Sequence, residues 1–438
     1  MTPHPRPKLV IVLAILSIVI QGANAQRPFS VTLQPTNANS VAILWQAQSA
    51  IPAGGLVLVP EFRVERSTDL KLWTPISDWM TGNSNQMLTL TDLNAVTAFY
   101  RVQALLDLRY AELSGANLAE GELAGSDFFG ANLFGANLSR AKLAGTRLTA
   151  ADARFADFNQ ADLSGADLFG IDAFSATLDS GSLAGIDARF STFEAASLFN
   201  VDLTGADFSS AILSKANLDF ALFKEVKLDD KTLIDPKPKL IWQIVNHDQR
   251  GAVLANVDLS FASLLGLNFN HTKFNGSDLT ASDLTGSDLR GANFTQANLR
   301  FVDFHQTQMD ATTLIDFKSR LVWQILNQTI TATDLSGADL SSVWLLGANL
   351  VNANLTNAIC TTSVLEQANF GGADLTDANC FRSDFFGATL TNANLTRCQF
   401  GLVDFSNANL LNAITNGANF SGATFTNTVM PDGSIRNF

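Results

Sequence analysis

The chain has 438 residues, 47% hydrophobic and only 16% charged, with a formal net charge of −13. The length admits two or three ordinary domains, and the low charge fraction excludes a disordered acidic tail. The acidic balance excludes nonspecific binding to nucleic acid or anionic lipid, since both need a basic surface, but it leaves open an acidic rod that imitates DNA.

Residues 1–25 read as a secretory signal. Arg6 and Lys8 form a positive n-region, Leu9 to Ile20 is an apolar run of 12 residues, and Ala23-Asn24-Ala25 is a small-x-small cleavage site. The run is too short to span a bilayer comfortably. Export with cleavage before Gln26 is expected, the other reading being an uncleaved N-terminal anchor. No later stretch is long and apolar enough for a membrane helix. Without Arg6 and Lys8, 26 of the 28 basic residues remain against 41 acidic ones, a net −15.

Residues 27–106 differ in composition, with Trp45, Trp73, Trp79 and five prolines. Short alternating runs appear: Phe29–Leu33, Val41–Trp45, Phe62–Arg66, Met87–Leu90 and Phe99–Val102. Period-two alternation between turn residues predicts half-buried antiparallel strands, here a small β-sandwich. The run Val64 to Pro75 reads as strand, turn, strand. The order Trp45, Leu93, then Tyr100-Arg101-Val102 resembles a fibronectin type III-like module. That resemblance implies a core role for Trp45 and a corner hydrogen bond for Tyr100. The module reads either as a spacer or cap for the next domain or as a binding module.

From Leu113 to about Met430 a large apolar residue returns every fifth position, through Leu113, Leu118, Leu123, Phe128, Leu133 and Leu138 and on to Leu228. Ala153, Ala173 and Ala188 are undersized members. A small residue, commonly Ala, stands two places before each centre, and Asp or Asn one place before it. Period five fits neither the 3.6 of a helix nor the 2.0 of a strand. A chain turning a corner every five residues satisfies it, and four corners close a coil of about 20 residues stacked at about 4.8 Å. Large and small residues then both point inward, where the narrow interior must be filled at ordinary protein density. No proline occurs between Pro75 and Pro236 or between Pro238 and Pro431, as expected where every wall lends N–H groups to its neighbour.

The segment Gly130-Ala131-Asn132-Leu133-Phe134-Gly135-Ala136-Asn137-Leu138 and its continuation resemble the pentapeptide-repeat family, whose pattern is A(D/N)LXX, over about 300 residues. The resemblance implies an all-β fold, a right-handed quadrilateral β-helix, with capped ends. Some members of that family are acidic rods that act on type II topoisomerases, which makes DNA mimicry an alternative function. The expected export argues against it, because that target is cytosolic.

The period fails twice in the same way. Thr232 to Asn246 and Thr313 to Asn327 are copies 81 residues apart. Leu240, Ile241, Ile244 and Val245, like Leu321, Val322, Ile325 and Leu326, form one face of a short helix. The expected organisation is a first solenoid run over 107–230, a helical insertion over 231–250, a second run over 251–311, another insertion over 312–330, and a third run with its cap over 331–438. Both helices are expected on one side, three coils or about 14 Å apart. Each reads as a lateral patch on the solenoid wall or as one of a pair of docking elements, which makes Trp242 and Trp323 candidate contact residues. Trp344 stands where Asp or Asn is usual, either packed under a neighbouring loop or marking a contact surface.

The Asp and Asn residues before each centre fall in outward columns, such as Asp127, Arg147, Asp167, Asp187 and Asp207. Solvated carboxylates on a convex wall lack the closed pocket and shifted partner that catalysis needs. His247, His271 and His305 have no metal spacing. Cys360 and Cys380 replace central Leu residues 20 apart, so they stack on one wall. They read as buried hydrophobes or as a disulfide, since their Cα separation of about 4.8 Å is within disulfide range although parallel side chains torque the bond poorly. Cys398 reads as packing. No cofactor is implied. The expectation is an exported, non-enzymatic scaffold that binds another protein and not nucleic acid, with no membrane span after cleavage.

Overall fold

The computed structural model describes residues 107–328 and 333–437 throughout and, within 30–106, the backbone of seven strands. The signal segment and the side chains of the N-terminal module, Trp45 and Tyr100 included, lie outside the described residues. The strands are β1 (Ser30–Asn37), β2 (Ser40–Gln46), β3 (Pro60–Ser67), β4 (Thr74–Pro75), β5 (Met80–Thr81), β6 (Met87–Thr91) and β7 (Phe99–Leu106). They pair antiparallel as two sheets, one ordered β1-β2-β6 and one in which β3 takes β4, β5 and β7 as partners. The face-to-face packing that a β-sandwich requires is a matter of side chains outside the described residues.

The chain forms two units, one ending at Pro238 and one beginning at Lys239. Both are built from 20-residue coils joined by parallel one-residue bridges, Asn132 to Asp152 in the first and Asn369 to Thr389 in the second. One pentapeptide shows why the sequence closes this way. Ala131 N donates to Phe128 O (2.9 Å) across the preceding corner, and Asn132 N to Ala111 O (2.9 Å) of the coil before. Leu133 N donates to Asp152 O (2.7 Å) and Gly135 N to Arg154 O (2.9 Å), both in the coil after. The remaining donor, Phe134 N, reaches Asn132 Oδ1 at 3.1 Å. Every N–H of the unit is thus satisfied, as a buried ladder requires. The Asp or Asn before each centre supplies the fifth acceptor by folding onto the N–H two residues ahead; Asp127, Asp157, Asp162 and Asp202 do the same.

The corner needs one residue in the left-handed region, φ +61° at Gly135. Glycine adopts it without a steric penalty, yet many corners use other residues, including Phe155 (φ 60°) and Phe190 (φ 59°). Inside, Ala131 and Leu133 are fully buried. In the second unit the central rings stack between coils: Phe274 on Phe294 with centroids 4.9 Å apart and planes 4° apart, Phe400 on Phe420 at 5.3 Å and 12°.

The ladder runs further into each insertion than the period shows. Ile212 still bridges Leu233, and Asn293 bridges Leu314. One extra residue is absorbed in the preceding turn. There Asp229 Oδ1 accepts from Thr232 N (2.9 Å) while Thr232 Oγ1 donates to Phe208 O (3.1 Å). Asp310 and Thr313 repeat this, with Thr313 Oγ1 donating to Leu289 O at 3.0 Å. Only then do helices α1 (Pro236–Asn246) and α2 (Phe317–Asn327) leave the wall. Pro236 suits a first helical position, where the missing N–H costs nothing. Asp316 caps α2 by accepting from Ser319 N at 3.0 Å. The third run closes in an antiparallel hairpin, β8 (Thr428–Val429) with β9 (Ile435–Arg436).

Candidate binding surfaces

Helix α2 is fastened to its own coil. It buries Ser319, Val322 and Ile325, two of the four positions expected on its apolar face. Its polar side chains reach carbonyls of the coil it covers. Trp323 Nε1 donates to Thr307 O (3.1 Å) and Asn327 Nδ2 to Phe304 O (2.8 Å). Arg320 donates to Asp310 O (3.1 Å) and Thr313 O (2.6 Å). At Thr307 O and Thr313 O the helix so replaces the N–H groups that a further coil would have supplied. Helix α1 buries Ile241 and Ile244. Trp242 is half-buried, its ring edge-on to His247 at 6.1 Å, and Asn246 Nδ2 donates to Trp242 O at 2.9 Å.

Trp344 is half-buried and bridges Val364 in the next coil. It lines a cavity of about 150 Å³ beside α2, where the third run begins. Its Nε1 is buried and has no hydrogen-bond partner. Val302, Phe304, Val322 and Val343 line the same cavity and are buried, while Arg300, Lys318, Ser319 and Ser342 are its basic and hydroxyl side chains. Phe301 N donates to Ser342 O at 3.0 Å across this splice.

Exposed or half-buried rings also stand on three corners of the first run, Phe134, Phe155 and Phe174 on one, Phe169 and Phe190 on the next, and Phe199 and Phe220 on a third. Phe134, Phe155, Phe169, Phe190 and Phe199 are 37–59% exposed at the corners. They meet other rings edge-on or tilted: Phe134 with Phe155 (5.4 Å), Phe155 with Phe174 (5.7 Å), Phe169 with Phe190 (5.3 Å). Arginines stack over two of the same rings, Arg154 on Phe134 and Arg189 on Phe169, each at 5.5 Å. The signal for these corners was present in the sequence as phenylalanines at positions the five-residue pattern leaves variable.

Cys360, Cys380 and Cys398 are free and buried. The bridge considered between Cys360 and Cys380 is not formed, since side chains stacked in parallel on successive coils do not reach the near-perpendicular torsion a disulfide needs. Cys398 Sγ lies 3.9 Å from Cys380 Sγ. The hydrogen bond to Cys380, with burial, holds the Cys360 thiol well above its ordinary pKa. At Cys380 the contact with Cys360 lowers the pKa, but the contact with Cys398 and burial leave it well raised. Neutral, inert thiols result.

The outward columns form as the spacing predicts, with Asp127, Arg147, Asp167, Asp187 and Asp207 in successive bridges. Many of these acids are paired: Arg154 with Asp152 (2.6 Å), Arg189 with Asp187 (2.7 Å), Arg290 with Asp288 (2.7 Å). In each pair the guanidinium hydrogen bond lowers the carboxyl pKa. His305 is raised by its hydrogen bond to Asp303, 2.6 Å away. Among the described residues no group of three or more His, Cys, Asp or Glu could hold a metal ion. Nor, among them, is any helix long and apolar enough to cross a membrane.

Among curated proteins none matches the chain. Among solved structures it is similar to HetL, a pentapeptide repeat protein involved in heterocyst differentiation regulation from the cyanobacterium Nostoc sp. strain PCC 7120. That alignment has 23% identity, covers 75% of this chain and 94% of HetL, and gives a TM-score of 0.20. The chain is also similar to QnrB1, a plasmid-mediated fluoroquinolone resistance protein, at 13% identity over 61% of this chain and 86% of that one, TM-score 0.19. A pentapeptide repeat protein from the Arabidopsis thaliana thylakoid lumen is 32% identical over 24% of this chain and 70% of its own, TM-score 0.13. The sequence itself matches the family of pentapeptide repeats (8 copies) over residues 107–133, 131–170, 191–230, 250–281, 277–314, 333–370, 363–401, 383–414 and 404–436. Matched over more than half its length, from the first coil to the C-terminal hairpin, the chain belongs to the pentapeptide-repeat family.

Proposed function

We propose that this is an exported, non-enzymatic scaffold that binds another protein through the aromatic corners of its first solenoid run. The observation that carries the reading is the conformation of Phe155 and Phe190, which are 51% and 59% exposed and sit at φ 60° and 59°. A bulky residue held in the left-handed region costs about 1–3 kcal/mol. Glycine occupies the same corner position at Gly135 and Gly170, so both the strain and the exposure are avoidable here. Exposed rings backed by guanidinium groups are the composition of a protein-contact patch. Trp242 and Trp323 are the weaker contact candidates: Trp242 is half-buried, and the indole N–H of Trp323 is engaged by Thr307 O of its own wall. The two N-terminal sheets fit a fibronectin type III-like β-sandwich that spaces or caps the solenoid, and the coil is taken as right-handed, as in the family. Export rests on the pattern of residues 1–25.

The alternative, a DNA mimic acting on a type II topoisomerase, draws on the net charge of −13. It calls for an unbroken anionic stripe. Arg147 and Lys227 interrupt the column of Asp127, Asp167, Asp187 and Asp207, and the Asp–Arg pairs neutralise others, which weakens it. Cell fractionation separates the two, since mimicry needs the protein in the cytosol. The contact surface is tested with a photo-crosslinking side chain at position 174. It should capture a discrete partner in the native compartment, and the double variant Phe155→Gly/Phe190→Gly should abolish capture without lowering the unfolding midpoint. Unchanged capture by the double variant would overturn the reading.

A further inference from the structure

The two insertions are copies in sequence but not in charge, and the difference falls on one cavity. At the first, Lys237 Nζ lies 3.5 Å from Asp219 Oδ1, an ion pair within the first unit. Eighty-one residues on, the equivalents are Lys318 and Arg300, so an acid has become a second cation. Lys318 turns instead to Asp339 (3.3 Å) and Ser341 (3.0 Å). Arg300 is left with Ser342 Oγ at 3.4 Å and the ring of its neighbour Phe301 at 5.7 Å. Among the described residues no carboxylate lies within ion-pair distance of it. The equivalent of Trp344 at the first insertion is Ser263. The second insertion has therefore acquired both an unneutralised guanidinium and an indole, and both line the cavity of about 150 Å³.

The floor of that cavity is apolar, formed by Val302, Phe304, Val322 and Val343, all buried. Leu299, Trp344, and basic and hydroxyl groups line most of the rest. The one acid lining it, Asp316, is engaged as the cap of α2 by Ser319 N at 3.0 Å. An apolar cavity of roughly this volume accommodates a benzene ring. Trp344 adds a buried donor without an acceptor, and a buried unpaired donor calls for a partner.

We propose that this cavity binds a small aromatic monocarboxylate of about the size of benzoate. The ring lies on the valines and Trp344, and the carboxylate takes the Arg300 guanidinium, the group suited to planar two-point recognition of a carboxylate. The second insertion is on this account a ligand site grafted onto a wall patch, and the first is the patch alone. The site is independent of the aromatic corners and of any protein partner.

The test uses the full chain and benzoate itself. Calorimetric titration should show one saturable site, with benzamide, the neutral analogue of the same shape, at least about tenfold weaker. Arg300→Gln, an exposed change that leaves the wall intact, should weaken benzoate about tenfold and leave benzamide unchanged. The indole N–H resonance missing from Trp344→Phe should be the one that shifts on titration. Three results would each overturn the proposal: no saturation by benzoate below about 10 mM, equal affinity for benzamide, or a shifted indole signal that survives in Trp344→Phe.

Discussion

Removing the ring of Phe385 should cost far more than removing the ring next to it. Phe385 is fully buried and has three aromatic neighbours: Phe370 at 5.4 Å, Phe400 at 5.7 Å and Phe405 at 5.3 Å. A buried Phe→Ala change costs about 3–5 kcal/mol through lost transfer energy and the cavity left behind. Ring pairs of this geometry add about 0.5–1.5 kcal/mol each beyond area burial. The walls here are hydrogen-bonded to the coils on either side and cannot collapse into the hole, which places Phe385→Ala at the upper end, about 4–5 kcal/mol. Phe386, one residue on, is 39% exposed, and Phe386→Ala should cost less than about 1 kcal/mol. Urea unfolding followed by circular dichroism gives both values from midpoint and slope. Since a coil contacts only its neighbours, the Phe385→Ala loss should also lower the slope, as the coils around the hole unravel before the rest. If the two variants moved the midpoint equally, the inward assignment of the central residues, and with it the coil, would be refuted.

Acid should weaken the turn that admits the second insertion. Asp310 is held down at about pKa 2 by its hydrogen bonds with the Thr312 hydroxyl and with the N–H groups of Thr312, Gly291 and Thr313. A depressed carboxyl stabilises fully above its ordinary value and loses that contribution as pH falls through the folded one. Melting midpoints measured from about pH 5 to about pH 2 should fall less steeply for Asp310→Asn than for the wild type; parallel curves would contradict this. Thiol titration of the denatured, unreduced chain should count three free thiols, because Cys360, Cys380 and Cys398 are all unbridged. In the native protein the same thiols should be nearly inert, because all three are buried. A count of one would reveal a bridge.

The coil was legible because its cause is local. A small residue at 131 and a large one at 133 are buried in every coil for the same steric reason, so the pattern survives hundreds of residues of variation elsewhere. The role of the acids was half legible: that they face water follows from the period, but that Asn132 completes the hydrogen-bonding of Phe134 N needed the geometry. The ladder continues a few residues past the point where the period of five fails. Leu233 and Leu314 remain in the ladder because one extra residue fits a turn closed by Thr232 or Thr313, and a fixed period cannot register an extra residue. The engagement of the Trp323 indole was not legible, because its acceptor, Thr307 O, is 16 positions back on the wall. The cavity at Trp344 depends on where the third run meets the second, and only the change from Asp219 to Arg300 between the copies hinted at it.

The hairpin that closes the third run has a consequence for the protein as a material. A stack of parallel coils is a one-dimensional crystal: each finished layer presents the template for the next, and nothing in the layer itself limits growth. Unprotected strand edges of this kind recruit other molecules. At Thr428 and Val429 the layer is finished, but its partner is Arg436 and Ile435 running the opposite way, and the Arg436 guanidinium covers the last stacked ring, Phe425, at 4.5 Å. The reversal presents an incoming coil with the wrong polarity and a charge where it would need a ring. A few residues thereby stop accretion at this face, and a sequence that could in principle template a fibre remains a molecule.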